Sequence, residues 1–196
     1  LTELAEVIME RSLADCRAKL EKTYGKPKLA DKKPCPFAVL GLGKLGGREL
    51  GYASDIEVLF IYGGSGKTSG KNGIENSEFF ERLTQELLGW IEAKQEGIFH
   101  LDVRLRPHGG KGSLTNPFDE ITNYYSDHGL AAPFERQSLI KLRHVAGDAA
   151  LGKRVEALFP VGAGGIANSD IFKRYLGLLV QGKNDFDAIE AYRHDD

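Results

Sequence analysis

The sequence has no apolar run long enough to cross a membrane. Its longest ones, such as residues 37–40 and 58–61, are short, whereas a membrane-spanning helix needs about 20 consecutive apolar residues. No charged segment followed by an apolar stretch opens the chain, so the sequence predicts no signal peptide. We therefore expect a cytoplasmic protein that has no membrane partner.

Cysteine and excess charge are both scarce. The chain has 2 cysteines, Cys16 and Cys35, which lack the spacing of metal ligands, so we expect reduced thiols and not a disulfide. Lysine and arginine number 26 against 28 aspartates and glutamates, for a net charge of −2. This balance provides no positive field for a nucleic-acid backbone, which argues against a nucleic-acid partner.

What the sequence does contain is typical of a globular protein with one sizeable core. Hydrophobic residues make up 41% and charged residues 28% of its 196 residues, as in ordinary globular domains. Because the chain begins at Leu1 and not at Met, we expect a domain of a longer polypeptide. Its character changes along the chain from an N-terminal helix and linker to a core and then to a helical region, at residues 1–36, 37–116 and 117–196.

The spacing of apolar residues predicts one helix, then a section of strands and helix, then helices alone. Short apolar or alternating runs predict strands at 37–42, 55–62 and 98–105. Helical spacing, with Gly and Pro at the ends, predicts helices at 2–23, 77–96, 118–128, 133–145, 148–159, 170–180 and from 185 onward. Small and polar residues predict a flexible loop at 63–76. The predicted fold class is α+β, a small mixed sheet followed by a helical C-terminal region.

The residues that carry chemistry begin with Asp55 and Glu57, two positions apart on the second predicted strand. Alternation along a strand puts both carboxylates on one face, while Ile56 and Val58 point to the other. Adjacent carboxylates repel each other, and each resists ionisation unless a cation lies between them. Mg²⁺ favours such oxygen ligands where it is also held by phosphate. Asp55 and Glu57 are therefore candidate catalytic residues and metal ligands.

The third predicted strand carries a second charged face. Asp102, Arg104 and Arg106 alternate with Val103 and Leu105, so the three charged side chains are expected to share one face of that strand. Asp102 completes the predicted metal site with the two earlier carboxylates. The two arginines are candidate phosphate ligands, or they position the carboxylates, because a guanidinium group pairs with phosphate and carboxylate oxygens alike.

A glycine-rich turn precedes the first carboxylates. Its residues Gly43, Lys44, Gly46 and Gly47 are candidate phosphate ligands, because consecutive backbone N–H groups in such a turn form a concave anion site and a lysine adds positive charge. Carboxylates, a metal ion, a phosphate-binding turn and arginines together favour nucleotidyl transfer. In that reaction the metal bridges the carboxylates and the nucleotide phosphates.

Each of these elements also has a simpler interpretation. The carboxylate pair could lie on a solvated strand edge, the charged face of the third strand could be a ladder of ion pairs, and the glycines could only shape a turn. A dinucleotide-binding fold is excluded, because too few residues separate Gly46 from Asp55 for its crossover helix. A phosphate loop around Gly66 is excluded, because Ile61 stands where its first glycine belongs.

Three motifs in order resemble those of the glutamine synthetase adenylyltransferase family, a branch of the DNA polymerase β-like nucleotidyltransferases. They are Gly43-Lys-Leu-Gly-Gly-Arg-Glu-Leu50 with Ser54-Asp-Ile-Glu57, then Asp102-Val-Arg-Leu-Arg-Pro107, then Glu135-Arg-Gln-Ser-Leu-Ile-Lys-Leu-Arg143. The resemblance covers residues 1–159 and implies a polymerase β-like nucleotidyltransferase core. Glu57 departs from the family pattern, which usually has Asp at this position.

The resemblance implies an Mg²⁺-dependent enzyme of nitrogen metabolism that acts on glutamine synthetase. Enzymes of this family carry two such domains: one transfers AMP from ATP to a tyrosine of glutamine synthetase, and the other removes AMP by phosphorolysis, which releases ADP. Tyr124, Tyr125 and Gly129, with Lys141 and Arg143, resemble the removing domain more closely. A PII-type regulatory protein is an implied partner of the full-length enzyme. Two rival hypotheses are a related transferase with another substrate and a catalytically silent nucleotide-sensing module.

Overall fold

The computed structural model describes residues 1–52, 54–91 and 100–159, apart from the side chain of Phe134. The chain divides into two compact units, Leu1–Val161 and Gly162–Asp196, and the described residues all belong to the first. Some predicted stretches lie outside the described residues, namely 92–96, 98–99, 170–180 and the helix from 185 onward.

The core of this unit is a small mixed sheet. Its strands are β1 (Phe37–Gly41), β2 (Ile56–Tyr62), β3 (Leu101–Asp102), β4 (Thr115–Pro117) and β5 (Arg143–Gly147). The order across the sheet is β3-β2-β1-β5, and β4 also pairs with β2. β1 runs antiparallel to β2 and β5, whereas β3 and β4 run parallel to β2. The predicted α+β class with a mixed sheet is confirmed.

Helices precede, interrupt and follow the strands along the chain. They are α1 (Thr2–Tyr24), α2 (Gly43–Gly46), α3 (Asn76–Ile91), α4 (Phe118–Tyr124), α5 (Pro133–Ser138) and α6 (Ala149–Glu156). The helices predicted at 2–23, 77–96, 118–128 and 148–159 are confirmed over α1, α3, α4 and α6. Within the described part of the chain, no helix is both long enough and apolar enough to cross a membrane.

β1 and β2 are buried on both faces because helices cover the sheet on each side. One apolar cluster joins alternate residues of these strands, among them Val39, Val58 and Phe60, to the buried sides of α1 and α3. A second cluster joins Leu40 and Leu59 to α4 and α6. Burial on both faces explains why these strands have continuous apolar sequences instead of alternating ones.

The predicted helix at 133–145 is wrong beyond Ser138. A 3₁₀ turn follows at Leu139–Lys141, and the chain then extends as β5. β5 pairs with β1, where Gly41 lies opposite Arg143. The backbone N–H and C=O groups of a buried strand need partners. On the side of β1 that does not face β2, residues 143–147 supply these partners as a strand, although the local sequence has helical spacing.

The predicted strand at 98–105 ends at Asp102, and turns follow it. The Asp102 carboxylate accepts a hydrogen bond from the backbone N–H of Arg104 at 2.8 Å, and such a local bond competes with strand pairing. Arg104 and Arg106 therefore do not continue one strand face with Asp102, and that part of the prediction is wrong.

Residues 63–76, predicted as a flexible loop, are fixed to the linker that precedes β1. The backbone N–H of Lys28 donates to the carbonyl of Lys67 at 3.1 Å. The side-chain amide of Asn76 donates to the carbonyls of Lys28 and Gly64 at 2.9 and 3.0 Å. These bonds give partners to backbone groups of a segment that its composition alone marks as flexible.

Cys16 and Cys35 are free thiols, as predicted, and both are buried. Burial raises the pKa of each thiol, which keeps the group in its neutral, unreactive form. Both residues belong to the apolar cluster beneath α1 and α3. Their contribution is therefore to packing.

Candidate functional site

The glycine turn joins β1 to β2 and lies against Glu57. Gly43, the first residue of α2, has a φ of +46°, a left-handed value that glycine tolerates best. A Cβ atom at this position would lie 1.5 Å from Oε2 of Glu57. The preceding residue, Leu42, donates its N–H to the carbonyl of Glu57 at 2.9 Å. The turn therefore needs glycine at its start in order to approach the Glu57 carboxylate.

Parallel pairing of β2 and β3 puts Glu57 opposite Asp102. Ile56 donates its N–H to the carbonyl of His100 at 2.8 Å, which supports this register. Asp55 lies directly before β2, two positions from Glu57, and is exposed. Side chains two positions apart on a strand share a face, as do those in register on a neighbouring strand. The structure thus brings Glu57 and Asp102 together at the start of β2, and Asp55 is close enough for its charge to raise the pKa of Glu57.

Arg104 neutralises Asp102. Its guanidinium group forms a bidentate contact, with Nη2 2.7 Å from Oδ2 and Nε 3.0 Å from Oδ1 of the carboxylate. Burial alone would raise the pKa of Asp102, but the hydrogen bonds and charge of Arg104 outweigh it and hold this pKa below its usual value. The Asp102 side chain is 7% exposed and that of Arg104 is 78% exposed, so the arginine covers the carboxylate from the solvent side.

Glu57 shows the opposite behaviour. Its pKa is raised, first by burial and then by the negative charges of Asp102 and Asp55, which the positive charges of Lys44 and Arg104 offset only in part. The half-buried carboxylate thus carries the repulsion expected of closely spaced like charges. A cation among the carboxylates would remove this repulsion, so the site favours a bound cation.

The carboxylates do not form a complete ligand set in this conformation. Within residues 1–52, 54–91 and 100–159, no group of three or more His, Cys, Asp or Glu side chains is arranged to hold a metal ion. The guanidinium group of Arg104 occupies the Asp102 oxygens that a cation would bind. The donor set nevertheless suits a hard cation such as Mg²⁺, with Arg104 supplying one positive charge in its place.

Lys44 contributes positive charge from the turn. Its Nζ lies 3.5 Å from Oγ of Ser54, the residue before Asp55, and its charge lowers the pKa of Glu57. Oγ of Ser54 also accepts the N–H of Gly51 at 3.2 Å. Lys44 therefore lies beside the carboxylates, where the sequence predicts a phosphate ligand.

Gly46 and Gly47 close the turn. Their N–H groups donate to the carbonyls of Leu42 and Gly43 at 2.8 and 3.0 Å. A Cβ atom on Gly46 would lie 1.9 Å from the carbonyl oxygen of Lys141, so this glycine allows two backbones to approach each other. The structure engages both amides inside the turn, whereas the sequence predicts that they bind phosphate.

Arg106 is buried and holds the segment that follows β3. It is 8% exposed, and its guanidinium group donates to the carbonyls of Val103, Gly110 and Gly112 at 2.7, 3.4 and 3.1 Å. The sequence predicts a phosphate ligand at this position. In the structure, its donors are engaged by loop carbonyls, which favours a role in holding the loop.

Sequence reasoning missed how the third motif supports the site. Lys141 binds Glu49, just after the turn, with 2.7 Å between Nζ and Oε2. Arg143 donates to the carbonyls of Leu45 and Gly46, both at 3.0 Å. No local pattern reveals these contacts, because they depend on the pairing of β5 with β1.

The tyrosine pair that resembles the removing domain packs inside the fold. Tyr124 donates its hydroxyl to Oε1 of Glu135 at 2.9 Å and accepts the N–H of His108 at 3.3 Å. Tyr125 is buried in the second apolar cluster, and burial raises the pKa of its hydroxyl. A Cβ atom on Gly129 would lie 2.2 Å from the carbonyl oxygen of Tyr124. Packing and hydrogen bonding within the fold therefore explain why tyrosine and glycine occupy these positions.

Fold and site together point to one class of protein. A small mixed sheet, carboxylates on two adjacent parallel strands and a glycine turn against one of them are consistent with a nucleotidyltransferase core. Within that class, the family model described as glutamate-ammonia ligase adenylyltransferase matches residues 1–158. The chain belongs to this family.

Bifunctional glutamine synthetase adenylyltransferase/adenylyl-removing enzymes are similar to most of the chain. The enzyme of Thioalkalivibrio sulfidiphilus is 40% identical over 179 residues, which cover 90% of the chain and 17% of that enzyme. Those of Methylococcus capsulatus and Nitrosococcus oceani are 37% and 36% identical, over 83% and 98% of the chain but 16% and 18% of their own lengths. The chain thus spans less than a fifth of the length of these relatives.

Replacement of Gly43 by alanine tests the contact between the turn and Glu57. The added Cβ would overlap the carboxylate on a left-handed backbone, so we expect Gly43→Ala to lower the free energy of unfolding by about 1–3 kcal/mol and to weaken ATP binding. Thermal denaturation and calorimetry measure the two effects. Gly110→Ala is the matched control, because a Cβ there meets no atom within 4 Å. Equal stability and ATP affinity of the two variants would contradict the contact.

The raised pKa of Glu57 predicts a pH-dependent loss of stability. The folded protein holds the Glu57 proton more tightly than the unfolded chain, so the free energy of unfolding falls as pH rises from the ordinary glutamate pKa through the raised one. Without divalent cations, Glu57→Gln should therefore raise the melting temperature at neutral pH. This gain should disappear below the ordinary glutamate pKa, where the carboxyl is protonated in both states.

Melting curves across this pH range measure the effect of Glu57→Gln. The control is Glu120→Gln, which removes an exposed carboxylate from α4 and should change the melting temperature little at any pH. A stabilisation by Glu57→Gln that is equally large in acid and at neutral pH would show that carboxylate repulsion is not its cause.

Proposed function

We propose that this chain carries a nucleotidyl-transfer site that acts on glutamine synthetase in the cytoplasm. The reaction transfers AMP from ATP to a tyrosine of glutamine synthetase, or removes AMP by phosphorolysis so that ADP is released. The observation that carries the proposal is the pairing of Glu57 with Asp102 beside a glycine turn, in a chain that matches the adenylyltransferase family. The names of its relatives include both adenylyl transfer and adenylyl removal.

Mg²⁺ is the proposed cofactor. Asp55, Glu57 and Asp102 would hold it, and the raised pKa of Glu57 supports a cation at this position. When bound, Mg²⁺ would neutralise negative charge that develops on the phosphate oxygens. Binding to Asp102 requires Arg104 to give up its bidentate contact, after which the guanidinium group can pair with a phosphate of the substrate.

Asp102 has a second proposed role in AMP addition. There it helps to activate the attacking tyrosine hydroxyl by accepting its proton. While Arg104 holds the carboxylate, the pKa of Asp102 is lowered and the group is a poor base. Asp102 could therefore accept the proton only after Arg104 has moved away, and through an oxygen that does not bind the cation.

Removal of AMP is the favoured direction. One support is the likeness of Tyr124, Tyr125 and Gly129 to the removing domain. Lys44 and Arg104 both lower the pKa of Glu57, so they would also lower the electrostatic cost of the free phosphate that this direction requires. The same cations would favour the phosphates of ATP, so the choice of direction rests on the likeness.

A catalytically silent nucleotide-binding module is the second candidate. The contact between Arg104 and Asp102 favours it, since the pair is neutral without any metal. The raised pKa of Glu57 argues against it, because a binding module does not need the repulsion among three carboxylates. A related transferase with another substrate would keep the same site and differ only in the protein that it modifies.

Incubation with glutamine synthetase tests the activity and its direction. With adenylylated glutamine synthetase, Mg²⁺ and inorganic phosphate, we expect ADP release and loss of the AMP mass from the substrate. Asp55→Asn should lower the rate about 100-fold or more, because loss of an anionic ligand removes a few kcal/mol of metal-assisted stabilisation. The control Asp119→Asn, which changes an exposed carboxylate of α4, should leave the rate unchanged.

The outcomes of this assay separate the candidates. One outcome is AMP incorporation from ATP into unmodified glutamine synthetase, without ADP release in the phosphate reaction. It would show that the chain adds AMP instead of removing it, and it would still support a nucleotidyltransferase. Absence of both reactions in a chain that still binds ATP would favour the silent module or another substrate. Retained activity in Asp55→Asn would show that Asp55 is not a ligand of the metal.

Arg104 and a divalent cation should compete for Asp102. We expect Arg104→Gln to bind Mn²⁺, a spectroscopic probe for the Mg²⁺ site, about tenfold more tightly than the parent chain, because a charge-assisted contact of about 1.5–3 kcal/mol no longer has to be broken. Electron paramagnetic resonance of unbound Mn²⁺ measures this affinity without turnover. Arg82→Gln, which removes an exposed ion pair with Glu78 on α3, is the control. Unchanged or weaker Mn²⁺ binding by Arg104→Gln would contradict the competition.

A further inference from the structure

Arg143 binds the last residues of α2. From β5, its Nε and Nη2 atoms donate to the carbonyls of Gly46 and Leu45, each at 3.0 Å. Carbonyl groups at the end of a helix lack partners within the helix and carry partial negative charge. The guanidinium group binds two of these carbonyls at once, of which that of Leu45 also accepts the backbone N–H of Arg48 at 3.2 Å. Arg143 therefore fixes the end of the glycine turn.

Glu6 of α1 completes this arrangement. Its carboxylate pairs with Nη2 of Arg143, and the side chains of Arg143 and Glu6 are only 23% and 21% exposed. A partly buried guanidinium group needs a counter-charge, because its desolvation is otherwise costly. Nη1 donates to the carbonyl of His144 at 3.2 Å. Each nitrogen of this guanidinium group therefore has a partner within the protein.

The two ends of the turn are held by different parts of the fold. At the first residue of α2, a Cβ on Gly43 would lie 1.5 Å from the Glu57 carboxylate. At its last residue, a Cβ on Gly46 would lie 1.9 Å from the carbonyl oxygen of Lys141. Close packing at both ends transmits displacement, so a shift at the Arg143 end changes the position of the turn against Glu57.

We infer that Arg143 is a positioning residue for phosphate binding by the glycine turn, and that Glu6 acts through it. The inference rests on the proposed function, because it assigns the turn to a phosphate of the substrate. Arg143 itself is not assigned to the phosphate, since its guanidinium nitrogens already have partners within the protein. Arg143 holds Gly43 and Lys44 at their distance from the carboxylates and touches no reacting atom.

Variants at the two ends of this ion pair test the inference. Arg143→Gln removes the charge and the fork of donors, whereas Arg143→Lys keeps the charge but cannot bind two carbonyls and a carboxylate in the same way. Glu6→Gln removes only the counter-charge. The matched control is Arg17→Gln, because the pair of Arg17 with Glu21 on α1 has similar exposure, 30% and 20%.

Amide hydrogen exchange followed by NMR gives a readout that needs no activity. The N–H groups of Gly46 and Gly47 donate within the turn, so their exchange reports how well the turn is held. We expect Arg143→Gln to raise both exchange rates about tenfold over those of Arg17→Gln, a factor that corresponds to about 1.4 kcal/mol. Arg143→Lys and Glu6→Gln should raise them by less.

Kinetics then separate positioning from general stability. Arg143→Gln should raise KM for inorganic phosphate or ATP about tenfold with a much smaller change in kcat, as expected when binding is lost in both the ground and transition states. Arg17→Gln should leave both constants unchanged even where it lowers the melting temperature. Glu6→Gln should add little in the Arg143→Gln background, because the two residues act as one unit.

Exchange rates and KM values that match those of Arg17→Gln would overturn the inference. Where Arg143→Gln does not fold, Arg143→Lys carries the same comparison. Failure of the proposed function has a different signature: the parent chain itself would show no turnover with glutamine synthetase. The exchange rates would still show whether Arg143 holds the turn, and their equality with the control would refute it.

Discussion

Burial of β1 and β2 between two apolar layers is the constraint on which the site depends. A shift of one residue in either strand would exchange the side chains that face α1 and α3 with those that face α4 and α6. Because the two faces are filled by side chains of different shapes, the register between the strands is fixed. That register determines where β2 begins, and therefore where Glu57 meets the glycine turn. Packing in the core thus determines the position of Glu57 relative to the glycine turn.

Charge at the site is balanced unequally between its carboxylates. Asp102 is neutralised by Arg104 at close range, whereas Glu57 keeps a raised pKa beside two other acids. A group whose pKa is shifted by burial and by like charge reduces stability, and such groups concentrate where ligands bind. The apolar layers on both sides of the sheet offset this cost. The distribution of charge is therefore the one expected of the proposed site, in which a cation and a phosphate would complete the set of charges.

The sequence predicted the parts of the site that depend on local pattern. Period-two alternation predicted that Asp55 and Glu57 share a face, and the strand predicted at 98–105 contains Asp102. It could not predict β5, because that strand forms only where β1 offers a second edge. The partners of Arg106 and Arg143 were also beyond it, since both side chains bind backbone carbonyls that only the folded chain brings near. An arginine in a sequence motif shows that hydrogen-bond donors are present, but it does not show which groups accept their hydrogen bonds.

The carboxylates of Glu57 and Asp102 belong to strands that differ in length and in burial. Glu57 belongs to a strand of 7 residues that is buried on both faces, whereas Asp102 belongs to a strand of 2 residues at the edge of the sheet. A short edge strand has few ladder bonds to break, so it yields at a lower free energy than the centre of the sheet. Glu57 is therefore held firmly in place, whereas Asp102 can move at a lower cost in free energy. The distance between the two carboxylates can therefore change without any rearrangement of the core.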